Sequence, residues 1–121
     1  MKIFLIDIDG TCSTDIKNED SHLYATAEAL PGSIEQLNKW YDEGNHITFF
    51  TARESKDRDV TIKWLDEKGF KYHGLIMDKP RCINSDDEYV WIDNRKVRGV
   101  TYDSTWSELK LVNKNILTFE K

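Results

Sequence analysis

The chain has 121 residues, 39% of them hydrophobic and 32% charged, and carries a net charge of −5 at pH 7. That length supports one hydrophobic core rather than two, so a single domain over residues 1–121 is expected. No run approaches the roughly 20 apolar residues that span a bilayer, Asp7 interrupts the opening apolar stretch too early for a secretory leader, and the acidic balance gives no footprint for nonspecific nucleic-acid binding; a cytoplasmic protein with no membrane partner is the expectation.

Residues 2–8, Lys2-Ile3-Phe4-Leu5-Ile6-Asp7-Ile8, form the first predicted strand. Parallel strands buried on both faces read as continuous apolar runs, so a carboxylate at position 7 is costly unless a cation or a reacting group compensates it. The run ends on Asp9-Gly10-Thr11, and residues 12–30 follow as an irregular polar stretch, helical from Ser21 onward. After Pro31-Gly32, Ser33 and Gln36 form a capping box for a helix with Ile34, Leu37 and Tyr41 on one face, stopped at Gly44. His46 to Phe50 is rich in β-formers and reads as a second strand ending at Thr51.

Ser55 or Asp57 caps the next helix, which turns Val60, Trp64 and Leu65 inward and stops at Gly69. Further strands are predicted at 75–77, 89–92 and 99–102, then a helix over 106–111 capped by Asp103 or Ser104, and an edge strand at 115–119. The alternation of strands and helices predicts an α/β, Rossmann-like three-layer fold with a mostly parallel sheet. Cys12 and Cys82 have neither the number nor the spacing of a disulfide framework or zinc site and are expected to be free thiols.

The unusual polar residues collect at the carboxyl ends of the predicted strands, where open α/β sheets bind ligands. Asp7 and Asp9 end the first, Thr51 the second, Lys79 follows the third, and Asp93-Asn94 ends the fourth. Taken singly, each has an ordinary reading. Asp9-Gly10 is a hairpin turn in other contexts, but Cys-Ser-Thr-Asp-Ile-Lys provides no returning strand. A buried acid such as Asp7 can simply be a satisfied polar group, Thr51 a cap, Lys79-Pro80 an extended loop and Asp93-Asn94 a turn. Their order in four separate segments is what raises them. His22, His46 and His73 are scattered, and Trp40, Trp64, Trp91 and Trp106 read as packing residues.

Asp7-x-Asp9-Gly10-Thr11 resembles the first motif of the haloacid dehalogenase superfamily. Thr51 in Phe49-Phe50-Thr51-Ala52-Arg53, Lys79 in Asp78-Lys79-Pro80, and Asp93 in Trp91-Ile92-Asp93-Asn94-Arg95 resemble the second, third and fourth, so the likeness extends over roughly residues 2–100. It implies a magnesium-dependent phosphomonoester hydrolase in which Asp7 attacks phosphorus to give an aspartyl-phosphate and Asp9 serves as general acid and base. Thr51 and Lys79 complete the implied catalytic set. Gly10, Ala52, Arg53 and Arg95 join Thr51 and Lys79 as implied substrate contacts, while Asp7, Asp9, Asp93 and Asn94 are the implied metal-site residues. Asn94 replaces the commoner second aspartate of the fourth motif.

Members of this superfamily often carry a cap domain, but roughly 40 residues separate Gly10 from Thr51 and fewer than 30 separate Thr51 from Lys79, which leaves room for none. The stretch 12–30, with Lys17 and His22, is then the candidate flap over the site. Arg53-Glu54-Ser55, with Thr61-x-Lys63-Trp64 downstream, is similar to phosphatase domains of polynucleotide kinase/phosphatases, and the Thr-Ala-Arg and Lys-Pro pattern to small phosphatases of capsular sugar synthesis. The implied partner is a phosphorylated substrate, whether sugar phosphate, nucleotide or nucleic-acid end. A receiver-like or non-catalytic phosphate-binding module is the alternative; receiver domains, however, take their paired acids and their phosphoacceptor from different strands, whereas Asp7 and Asp9 share one.

Overall fold

The computed structural model describes residues 1–102 and 104–106. The chain divides into two compact units, Met1–Arg81 and Cys82–Lys121. In the first unit the elements run β1 (Ile3–Ile6), α1 (Ser33–Asp42), β2 (His46–Phe50), α2 (Arg58–Lys68) and β3 (Gly74–Ile76), with 3₁₀ turns at Asn18–Thr26 and Ser55–Asp57. The strands form a parallel sheet in the order β1-β2-β3, with Phe4 beside Ile47 and Ile6 beside Phe49, and Phe49 beside Leu75 in turn.

That register sorts the side chains by face, because successive strand residues point to opposite sides. Phe4, Ile6, Ile47 and Phe49 share one face, and all but the partly exposed Phe4 are buried; Ile3, Leu5 and Ile76 occupy the other and are exposed. Two successive right-handed crossovers stepping in the same direction bring both helices to a single face. The ring contacts agree: Trp40 of α1 stacks on Phe4 with centroids 4.2 Å apart, and Phe70 after α2 meets Phe49 edge-on at 5.7 Å. The described residues thus account for two of the three predicted layers.

The helix starts follow their sequence signals only in part. The α1 N-cap is Gly32, in a left-handed conformation, and the Ser33 hydroxyl donates instead to the carbonyls of Leu30 and Cys12, tying the helix start to the chain after β1. A buried hydroxyl satisfied by a distant backbone group replaces the predicted local capping box. At α2 the N-cap position is Asp57, with no side-chain cap bond, while Ser55 turns to Asp78. Thr61, Trp64 and Leu65 form the buried face of α2, and Gly69, at φ +85°, closes the helix in the left-handed region that glycine tolerates.

Residues 12–30 are stitched to this unit rather than standing free of it. The Trp64 indole N–H donates to the Ala27 carbonyl at 2.8 Å, Leu30 N–H to the Cys12 carbonyl at 2.8 Å, and Cys12, Ser13, Ile16, Tyr24 and Ala27 are buried. Lys17 and His22 are exposed.

The second unit corrects two strand expectations. Residues 89–92 and 99–102 form no ladder, and Tyr89, Val90, Trp91 and Ile92 are exposed. An unalternated apolar run is held as a strand by its place in a sheet and cover on both faces, and residues 89–92 are exposed and lie outside the sheet among the described residues. Within the unit, Tyr102 and Trp106 pack ring to ring at 5.4 Å. The predicted strand at 115–119 and all of the predicted 106–111 helix beyond Trp106 lie outside the described residues.

Candidate active site

β1 stops at Ile6, one residue before the first acid. Asp7 therefore stands at the strand end, its side chain 36% exposed, and escapes the burial cost expected of an acid inside a parallel strand. Beyond it the chain coils tightly on itself: the Ile8 carbonyl accepts N–H bonds from Thr11, Cys12 and Ser13. Gly10 makes that turn possible at φ +82°, and its own N–H is given to the Ser13 carbonyl. The turn separates Asp7 and Asp9, and each acquires a different cation.

Asp7 accepts from the Lys79 ammonium at 3.2 Å through Oδ1 and from the Thr11 hydroxyl at 3.2 Å through Oδ2. Asp9 is held by Arg53, whose Nε and Nη2 donate to its two carboxylate oxygens at 3.0 and 2.9 Å. This fork-on-fork pairing is the strongest geometry available to a carboxylate. Arg53 itself is fully buried: Nη1 donates to the Thr61 hydroxyl at 3.1 Å, and its guanidinium lies 3.9 Å from the Tyr24 ring centre. The guanidinium proposed from sequence to meet substrate is engaged with Asp9, Thr61 and Tyr24.

Thr51 is buried directly after β2. Its Oγ1 accepts the Arg53 N–H at 3.1 Å, and its carbonyl accepts the Lys79 N–H at 2.9 Å. The loop after β2 is thereby joined to the loop after β3, and the Asp78 N–H adds a bond to the Arg53 carbonyl at 2.8 Å. Ala52 is fixed from the 3₁₀ segment: Asn18 donates its amide to the Ala52 carbonyl at 3.0 Å and accepts the Tyr24 hydroxyl at 3.1 Å. Burial, with Asp9 close by, pushes the Tyr24 phenol up from its ordinary value, so it remains a proton donor across the neutral range.

The structure brings Asp7, Asp9, Gly10, Thr51, Ala52, Arg53 and Lys79 into one cluster in the first unit. Asp93, Asn94 and Arg95 belong to the second unit, where the Asp93 carboxylate accepts the Arg95 N–H at 3.0 Å and the Trp91 indole N–H at 3.3 Å. No group of three His, Cys, Asp or Glu side chains that could hold a metal occurs among the described residues. The sequence reading missed Asn18, Tyr24, Thr61 and Asp78, residues that hold the motif residues in place. Only the capping preference of Asp and the αL tolerance of Asp78 left a trace in the sequence.

A family model described as PITM 1-3, LNS2 domain matches residues 4–101. A Bacillus cereus protein named "Putative nucleotidase" is 35% identical over 54 residues, 45% of this chain and 29% of its own length, so the match spans less than a third of that relative. Among solved structures, one from Vibrio cholerae superposes with a TM-score of 0.57 at 26% identity over 81% of this chain and 84% of that one. The Pnkp1/Rnl/Hen1 RNA repair complex contains a chain of the same fold, with a TM-score of 0.57 at 19% identity over 72% of this chain and 27% of that one. The match over most of its length places this chain in the LNS2 domain family, a haloacid dehalogenase-like phosphatase family.

Proposed function

We propose that the chain is a magnesium-dependent phosphomonoester hydrolase that works through an aspartyl-phosphate on Asp7. The observation that carries this reading is the division of labour between the two acids: Asp7 is accessible beside a lysine, whereas Asp9 is shielded and gripped by an arginine. A nucleophile must be reachable, and a proton carrier must be held in one orientation.

In the first step an Asp7 carboxylate oxygen bonds to phosphorus as the bond to the leaving oxygen breaks. Asp9, a carboxylate paired with Arg53 at rest, takes up a proton as the ester binds and gives it to that oxygen. Because both Asp9 oxygens accept from Arg53, carrying the proton requires one of these hydrogen bonds to yield. In the second step Asp9 takes a proton from water, the water attacks the acyl phosphate, and Asp7 is regenerated. Lys79 offsets the charge of Asp7 and of the phosphoryl oxygens, and the Thr51 hydroxyl receives one of those oxygens.

Magnesium takes oxygen ligands and keeps several waters. The Asp7 carboxylate and the Asp9 carbonyl, both in the first unit, would supply oxygens of the kind it takes. The metal would supply charge neutralisation to an anionic ester.

The substrate belongs to sugar phosphates, nucleotides or nucleic-acid ends. The name of the Bacillus cereus relative puts nucleoside monophosphates first in the assay order. No helix among the described residues is long and apolar enough to cross a membrane. The test is phosphate release with magnesium across the three substrate classes, with Asp7→Asn as control. Binding of inorganic phosphate without turnover of any ester would instead favour a phosphate-binding module.

A further inference from the structure

Asp78 is one of two non-glycine residues with positive φ among the described residues, at +63°. Aspartate is among the few side chains that occupy this region without severe cost, but the conformation remains uncommon and needs a local cause. Here the cause is visible. The turned backbone sends the Asp78 N–H to the Arg53 carbonyl at 2.8 Å and the next N–H, that of Lys79, to the Thr51 carbonyl at 2.9 Å. The Asp78 carboxylate closes the same junction from outside, accepting the Ser55 N–H at 3.0 Å through Oδ1 and the Ser55 hydroxyl through Oδ2.

These bonds join segment 51–55 to segment 78–79. The first segment carries Thr51 and Arg53, and Arg53 orients Asp9; the second carries Lys79, which faces Asp7. We propose that Asp78 is a positioning residue that locks the lysine-bearing loop to the arginine-bearing loop, so that Asp7 and Asp9 meet their two cations in a fixed mutual geometry. This assignment rests on the hydrolase reading for its kinetic consequence and on the backbone contacts alone for its structural one. Asp78 touches no reacting atom; its effect passes through Lys79 and Arg53.

The experiment compares Asp78→Gly, which removes the carboxylate but accepts the positive φ, with Asp78→Asn. The asparagine keeps an oxygen for the Ser55 N–H and offers an N–H₂ to the Ser55 hydroxyl, so it should restore the junction. Two readouts are taken on the full chain: kcat and KM for an aryl phosphate with magnesium, and amide hydrogen exchange at Asp78 and Lys79. The glycine variant is expected to lose kcat by on the order of 10²-fold, with KM changed far less, and to exchange both amides faster. The asparagine variant should return both to near wild type. A glycine variant with unchanged kcat and unchanged exchange would overturn the assignment, as would an asparagine variant as impaired as the glycine one. If the wild-type chain releases no phosphate from any ester, the hydrolase reading fails on that result. Asp78 is then judged on exchange alone, where unchanged protection in the glycine variant overturns the lock.

Discussion

Replacing Arg53 separates its two possible roles, because a substrate contact and an internal clamp fail differently. The guanidinium is fully buried, makes two hydrogen bonds to Asp9 and one to Thr61, and stacks on Tyr24. Arg53→Met fills much of the same volume but strands the Asp9 carboxylate. Breaking a buried ion pair from one side costs about 3–5 kcal/mol. The Asp9 side chain is 14% exposed, so water recovers part of its solvation, which puts the expectation at the lower end, about 3 kcal/mol. At about 4 °C per kcal/mol for a domain of this size, the melting temperature should fall by roughly 12 °C. Arg53→Lys keeps the charge but cannot span both oxygens and Thr61, so its loss should be about half as large. Thermal and urea unfolding give the stability, and steady-state phosphate release gives kcat and KM. Both variants should lose kcat because Asp9 is no longer held. An unchanged melting temperature with a raised KM alone would show that the guanidinium serves the substrate rather than Asp9.

Asp7→Asn should unfold at nearly the wild-type temperature, since the Asp7 side chain is 36% exposed, yet release no phosphate; residual turnover near wild type would remove Asp7 from the nucleophile role. Trp64→Phe deletes the indole N–H bond to the Ala27 carbonyl and should cost about 1 kcal/mol together with the lost ring area, read from urea midpoints at constant m. Burial, and then the nearby Asp7 and Asp9, push the Cys12 thiol well above its ordinary value, so iodoacetamide should label the exposed Cys82 and not Cys12 until the chain unfolds. The sign for stability follows: the unfolded chain ionises Cys12 first, so this contribution is complete below about pH 8.5 and declines as pH rises beyond it.

The three strands and the two helices of the first unit were legible because they follow local rules. Period and composition mark His46 to Phe50, and Gly69 marks the end of α2. What the sequence concealed were pairings between distant positions. Nothing in the order of residues announces that Arg53 faces Asp9, that Ser33 serves the Cys12 carbonyl rather than its own helix, or that Asp78 reaches Ser55. A hydroxyl or carboxylate next to a helix start is a capping signal by propensity, and tertiary contact overrides it when a distant backbone group offers a better partner. The run at 89–92 misled for the opposite reason: its composition has the β-propensity of a strand, but propensity describes fit to a covered, paired surface and cannot create one.

The charge pattern of the cluster has its own consequence. Asp7 and Asp9 carry two negative charges, and Lys79 and Arg53 return two positive ones at hydrogen-bond distance, so the four side chains together are neutral. A phosphate dianion arriving alone imposes two uncompensated charges on a partly desolvated site, and a divalent cation arriving alone imposes two of the opposite sign. Arriving together they restore neutrality. Each should therefore raise the affinity for the other, and the coupling must be reciprocal, with an enhancement of about 5- to 150-fold. Thermal shifts measured with inorganic phosphate alone, magnesium alone and both will show this as a joint shift larger than the sum of the separate ones. Competitive inhibition by phosphate, titrated against magnesium, gives the same factor from the other side. Strictly additive shifts would mean that the two ligands do not share this charge-balanced cluster, and that the metal is held elsewhere.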